Sequence, residues 1–351
     1  VFGVDGWSVI YTKDATPNPD GTKDVGPQDV YAGDAQVVVV ANAAPAIQAE
    51  LAKAKDITDF LETTINLDDE TLTKGLTMSS GVLDVTLVAN TINYIGYADE
   101  KSEITVNGKT GQEVHGGGPV PLVRNVASIA LARVTHSNPD TANYISKNFV
   151  LKEVFIASAK GVSDVASESC WGRIEKEFDF TSGFGYSNYM VGKEFSKSPN
   201  IDEGSYKKGT QTKRDELATT GNTAHEFYVY ENKLGEIAKA DEASANRAYA
   251  NHTLLIVKGD YTYLPKGLVD NESNYVKKED CYYAIPVGEK VTIDSKEIEG
   301  FYVQRNYKYA ITLTIIGPGS EIPYDPMIST NVSASVKVEP WNVKTIHEEV
   351  E

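Results

Sequence analysis

The run His115-Gly116-Gly117-Gly118 has the composition of an oxyanion loop, in which backbone N–H groups face a developing negative charge. Acyl transfer at such a loop also needs a nucleophile on a Gly-x-Ser-x-Gly elbow, and the sequence holds no such pentapeptide. A secreted hydrolase therefore rests on this run alone, and a Gly-rich linker is the expected role. Asp14, Asn18, Asp20 and Asp24 around Gly21 supply the hard oxygens of a calcium loop, but an EF-hand register puts its leading Asp at position 16, which is Thr. An ordinary solvated acidic turn is expected there. His115, His136, His225, His252 and His347 include no pair at the i, i+4 spacing of a helical zinc site. Cys170 and Cys281 lack the paired spacing of a zinc or redox motif; one disulfide or two buried thiols fit, with thiols expected. Gly317-Pro318-Gly319-Ser320 lacks the Lys of a P-loop and reads as a tight turn. Asn251, Asn271 and Asn331 head N-x-Ser/Thr triplets, which matter only in a glycosylating secretory pathway. No catalytic residue, cofactor or metal is expected.

The elements that would carry these residues are mostly strands. A chain of 351 residues suits two domains of roughly 100 to 200 residues. A net charge of -17 disfavours nucleic acid and anionic membrane surfaces, which call for clustered Lys and Arg. No apolar run approaches the roughly 20 residues of a membrane span. Short runs predict strands at Val4 to Tyr11, Ala35 to Ala41, Val82 to Val88, Ile92 to Tyr97 and Ile104 to Val106, then Val126 to Val134 and Asn148 to Ala157. Further runs lie at Glu226 to Tyr230, His252 to Lys258, Tyr282 to Val287, Tyr302 and Val303, and Lys308 to Ile316. Ile47, Leu51, Ala54, Leu61 and Ile65 predict one helix opened by Pro45. Gly111 to Pro121 reads as an interdomain linker, dividing the chain into domains 1–118 and 119–351, while Gly183 to Thr220 reads as a polar loop and Ala238 to Ala250 as a short helix. Strands at these intervals predict all-β sandwiches.

The closing segment is the most ordered pattern. Val332, Ala334, Val336 and Val338 alternate with Ser333, Ser335, Lys337 and Glu339, and the alternation resumes after Pro340 with Trp341 and Val343. This is a half-buried strand with a break, because Pro cannot donate to a ladder. Such a strand seeks a sheet edge, supplied by its own domain or by another molecule.

Several segments, in consistent order, resemble the fimbrillins, the stalk subunits of Bacteroidales type V pili: Val37 to Asn42, Asn93 to Tyr97, Arg124 to Val134, Phe227 to Asn232, Arg305 to Gly319, and Val336 to Trp341. The resemblance implies two tandem transthyretin-like Greek-key β-sandwich domains with a few short helices. It implies a lipoprotein precursor exported to the outer membrane, and arginine-specific cleavage that removes a first strand; Val1-Phe2-Gly3-Val4 looks like the start left by such a cut. The donor strands would then lie at about 329–351, with Val332, Ala334, Val336, Val338, Trp341 and Val343 entering the next subunit, and Phe2, Val4, Val9, Val37 and Val39 as candidate groove lining. The implied partners are copies of the same chain in a head-to-tail filament, anchor and tip pilus proteins, and host or bacterial receptors. The implied role is adhesion and biofilm formation at the cell surface, with no membrane span in the mature form. The alternative is a monomeric surface carbohydrate- or protein-binding module using Trp171, Tyr186, Tyr189 and Tyr206.

Overall fold

The structure is a computed structural model that describes residues 1–20, 23–70, 75–137, 143–157, 162–166, 225–232, 253–293, 296–321, 332–340 and 344–350. The polar loop at 183–220, the helix expected at 238–250, Cys170, Trp171, Tyr186, Tyr189, Tyr206, Trp341 and Val343 lie outside these residues. The chain divides into two units: Val1–Asn125 with Ser163–Arg173 and Trp341–Glu351, and Val126–Val162 with Ile174–Pro340.

The strands of the first unit are β1 (Phe2–Gly3), β2 (Ala15–Pro17), β3 (Lys23–Val25), β4 (Gly33–Val37), β5 (Val40–Ala41), β6 (Thr64–Asn66), β7 (Met78–Ser79), β8 (Leu83–Leu87), β9 (Ile92–Ile95), β10 (Glu103–Val106), β11 (Lys109–Glu113) and β12 (Val120–Arg124). One sheet has the order β1-β4-β8. Its inward residues Ala35, Val37, Leu83, Val85 and Leu87 share a core with Met78, Ile95, Val114, Val120 and Leu122 from the other side. The alternation of β8, with Leu83, Val85 and Leu87 buried and Asp84 and Thr86 exposed, is the period of a strand packed on one face.

Three local expectations are corrected here. The opening strand stops at Gly3, because the chain turns at Gly6, whose φ of 87° is open to glycine, and Gly3 N–H donates to Trp7 O at 2.8 Å. The single long helix is two: α1 (Pro45–Leu51) and α2 (Ile57–Leu61), after which Ile65 is buried on β6. Asp56 interrupts it by adopting extended backbone and accepting from Asp59 N–H at 2.8 Å, an N-cap that begins a new helix. The Gly-rich stretch 111–121 is no linker; it carries the end of β11, the start of β12 and the turn that joins them.

The second unit contains β13 (Val126–His136), β14 (Tyr144–Ala157), β16 (His225–Tyr230), β17 (Leu254–Pro265), β18 (Val276–Pro286), β19 (Glu289–Ile293), β20 (Lys296–Tyr302), β21 (Tyr307–Ile315) and β22 (Val332–Pro340), while β15 (Val162–Asp164) pairs with β6. Its sheets run β16-β13-β21-β22 and β14-β17-β18, with β19 and β20 forming a separate hairpin. Phe155, Leu254, Ile256 and Tyr282 cluster in one core. The quoted segments Phe227 to Asn232 and Arg305 to Gly319 meet there: Arg305 donates to Glu231 at 2.5 Å, with both side chains buried, and Asn232 N–H donates to Val303 O. The predicted all-β class is therefore what the chain adopts.

The last strand, β23 (Lys344–Val350), follows the second unit in sequence yet belongs to the first. It stands inside the larger sheet, whose order is β10-β11-β9-β23-β12-β7-β5.

Candidate assembly site

In that sheet β9 and β12 do not pair with each other; β23 lies between them. On one side Lys344, Thr345 and Ile346 are opposite Leu122, Pro121 and Val120, and on the other Glu348, Glu349 and Val350 are opposite Ile95, Tyr94 and Asn93. Both pairings are antiparallel, and β3 adds two parallel partners, Asp24 to His347 and Val25 to Glu348. The walls of this channel are dry. Ile95 and Val120 are fully buried and Leu122 is nearly so, all three within the core of the unit. Removing the central strand would expose that core and two rows of backbone donors and acceptors.

The loops above β9 are fixed by one side chain. Glu113, fully buried at the end of β11, accepts through Oε1 from Gly96 N–H at 3.2 Å, His115 N–H at 3.0 Å and Gly116 N–H at 3.0 Å. Through Oε2 it accepts from Tyr97 N–H at 2.8 Å and Ala98 N–H at 3.3 Å. Gly116, Gly117 and Gly118 all have positive φ, which lets the turn aim its N–H groups inward, Gly117 to Asp99 O and Gly118 to Ala98 O. The donors that a hydrolase would aim at a substrate are committed to this turn.

The candidate donor residues fall on two elements. Val332, Ala334, Val336 and Val338 lie on β22, paired residue for residue with Ile315, Leu313, Ile311 and Tyr309 of β21. β22 ends the order of described strands in its sheet, with Ala334 exposed and the three valines only half-buried. Of the groove candidates, Phe2, Val9 and Val39 line a cavity of about 910 Å³ whose walls include Leu51, Met78 and Leu122. Val4 is 74% exposed and Val37 is buried in the core, so the five do not form one surface. Leu122 is shared by the cavity and the channel.

Other candidate chemistry resolves into packing. Asp14, Asn18, Asp20 and Asp24 border the β2–β3 hairpin, where Asn18 Nδ2 donates to Asp24 Oδ1 at 2.8 Å. Cys281 is a buried free thiol, its pKa pushed up by burial. Sequence reading did not anticipate that His136 Nε2 stands 2.6 Å from Ser146 Oγ, the contact a Ser–His dyad would need. Ser146 is only 2% exposed and also takes the Tyr261 hydroxyl at 2.5 Å, while burial lowers the His136 pKa. In that arrangement the buried Ser146 hydroxyl is held between His136 and Tyr261. Among the described residues no group of three or more His, Cys, Asp or Glu side chains is placed to hold a metal. No helix among them is long and apolar enough to cross a membrane.

Residues 1–124 match the family described as major fimbrial subunit protein (FimA). A crystal structure of a Parabacteroides distasonis protein named as a candidate in cell adhesion is 70% identical, covering 97% of this chain and 92% of that one, with a TM-score of 0.76. The chain belongs to the FimA-type fimbrillin family. Among curated fimbrillins, the major fimbrium subunit FimA type-3 of Porphyromonas gingivalis is 26% identical over 290 residues, 76% of this chain. The chain spans 65% of that relative's length. A second cell-adhesion candidate from Parabacteroides distasonis shares the fold at 19% identity, with a TM-score of 0.54 over 89% of this chain and 77% of that one. The fimbrillins are structural fimbrial subunits rather than enzymes.

Proposed function

We propose that this fimbrillin is a shaft subunit of a type V pilus, polymerising head to tail by strand exchange. The segment Val332–Val338 of one copy enters the channel between β9 and β12 of the next. One observation carries the reading: among the described residues, β9 and β12 are joined only by a strand that comes from beyond the second unit in sequence. A sheet completed from so far along the chain is completed equally well by another copy, since every ladder partner is on the acceptor. On β22 the donor residues are partly exposed, whereas the channel offers the fully buried neighbours Val120 and Ile95. Each valine moved to full burial gains up to about 1.5–3 kcal/mol, less what it already has at home. The contact joins unlike surfaces, so it propagates without closing, as a filament requires.

In the same reading, removal of a leading strand by arginine-specific proteolysis clears the channel, a lipoprotein precursor delivers the subunit to the outer membrane, and the filament works at the cell surface in adhesion and biofilm formation alongside anchor and tip proteins. Val336→Asp tests the exchange. The position is half-exposed on an edge strand, so the variant monomer stays folded, as circular dichroism would show, while the ladder of detergent-resistant oligomers is abolished. An undiminished ladder from this variant would refute the exchange.

A further inference from the structure

The second unit holds an apolar tip out to solvent. Residues 266–275 join β17 to β18, and within this turn Leu268 and Val269 are 50% and 77% exposed. Single exposed apolar residues are ordinary, but these two are adjacent and the turn that presents them is braced. Lys147 Nζ and the Tyr275 hydroxyl donate to Asp270 at 2.7 and 2.6 Å. Asn274 Nδ2 donates to Val269 O at 2.9 Å, and Lys266 N–H donates to Asn143 O at 2.9 Å. A tip already held in place has little conformational freedom to lose on meeting a partner.

The tip stands at the end of the second unit where the donor strand begins. Tyr144, the first residue of β14, is opposite Pro265 just before the tip. The Tyr261 hydroxyl donates to Ile316 O at 2.9 Å and His136 reaches Ser146, which ties this end of β14 and β17 to the ends of β13 and β21. Val332 pairs with Ile315 there, whereas the chain enters the unit at Val126, the opposite end of β13. The channel of the first unit also has two unlike ends. Close after Leu122 the chain leaves through Arg124 and Asn125 for its own second unit. At the other end, Asn93 and Ile92 of β9 help to line a hollow of about 540 Å³ whose walls include Val30, Tyr31, Leu87 and Val88. Tyr31 and Val88 are exposed at it.

We propose that Leu268 and Val269 of one copy seat in the hollow beside Tyr31 and Val88 of the next, a second contact between copies alongside the exchanged strand. The inference rests on the strand-exchange reading and adds the surface that orients the incoming copy. A second copy reaches the channel from the Asn93 end, because the Leu122 end continues into the acceptor's own second unit. It presents the end that bears Val332, and the tip comes with it. Tip and hollow are apolar and unlike, so the contact repeats at every joint without closing a ring. A strand alone leaves two copies free to pivot about it. A second contact makes the joint bivalent and keeps a loosened strand at high effective concentration beside its channel.

The test is to charge the tip in the full chain. Leu268→Asp with Val269→Asp should leave the circular dichroism and melting temperature of the monomer unchanged, since both side chains are exposed. The variant should need about tenfold more protein than the wild type to reach the same oligomer ladder. Separately, mixing Val269→Cys protein with Val88→Cys protein should give disulfide-linked pairs during assembly, beyond those formed by either variant alone. A charged tip that assembles at the wild-type concentration, or assembled Cys variants that do not cross-link, overturns the tip contact while Val336→Asp still abolishes the ladder. Loss of cell adhesion with an undiminished ladder overturns it as well, by assigning the tip to a different partner. Should Val336→Asp polymerise like the wild type, the exchange reading itself fails and the tip contact falls with it.

Discussion

Five backbone N–H groups converge on Glu113, and the loops they belong to hold the end of β9, which borders the channel. Glu113→Ala leaves those donors buried without an acceptor, at about 1–3 kcal/mol for each one that water does not reach. The expected result is a first unit destabilised by about 3 kcal/mol or more in urea titration, with Gln recovering part of the loss through its one carbonyl. In the second unit, Arg305 and Glu231 form a buried pair from two segments that carry the fimbrillin resemblance. Arg305→Met alone should cost about 3–5 kcal/mol by stranding the Glu231 carboxylate, whereas Arg305→Met with Glu231→Leu should lose much less. A chemical denaturation series on the three variants separates the outcomes. The role of Glu113 was not legible in the sequence, because a carboxylate two residues before a His-Gly-Gly-Gly run says nothing of which N–H groups a turn will direct at it.

At the scale of elements, Asp260 on β17 ties its sheet together. It pairs with Lys152 of β14 at 2.5 Å and Lys277 of β18 at 2.9 Å, and accepts from Asp280 N–H at 3.1 Å. Burial pushes its carboxyl upward, but the two lysines and the backbone donor outweigh this and hold it at about 2, against an ordinary 3.8. A carboxyl depressed by folding adds stability that is fully present above about pH 4 and lost as the pH falls toward about 2. Melting curves across that window should show the second unit weakening, and Asp260→Asn should be less stable at neutral pH while losing less on acidification. The strands themselves were largely readable: β8, β13 and β21 follow period-two or continuous apolar patterns that depend only on which face is buried. The helix was overextended because Ile47, Leu51, Leu61 and Ile65 keep helical spacing across a cap, and periodicity is blind to an Asp that starts a new element.

For the whole molecule, the decisive feature is that the sheet of the first unit is closed by the closing segment of the chain. Truncation after Pro340 is expected to leave the second unit intact while amides along β9 and β12 exchange faster by an order of magnitude or more, which hydrogen exchange with mass spectrometry would resolve strand by strand. Equal protection in both proteins would mean that β23 contributes nothing to the channel. The sequence by itself determined the all-β class, the apolar stripe of Val332, Ala334, Val336 and Val338, and the kinship with fimbrillins, because alternation and ordered motifs are local properties. Only the tertiary structure decided that Ile92–Ile95 and Val120–Arg124 flank a channel, that Lys344–Val350 lies in it, and that Phe2, Val9 and Val39 line a cavity apart from Val37. Strand pairing joins residues more than two hundred positions apart, and alternation along one strand carries no information about which distant edge its hydrogen bonds will meet.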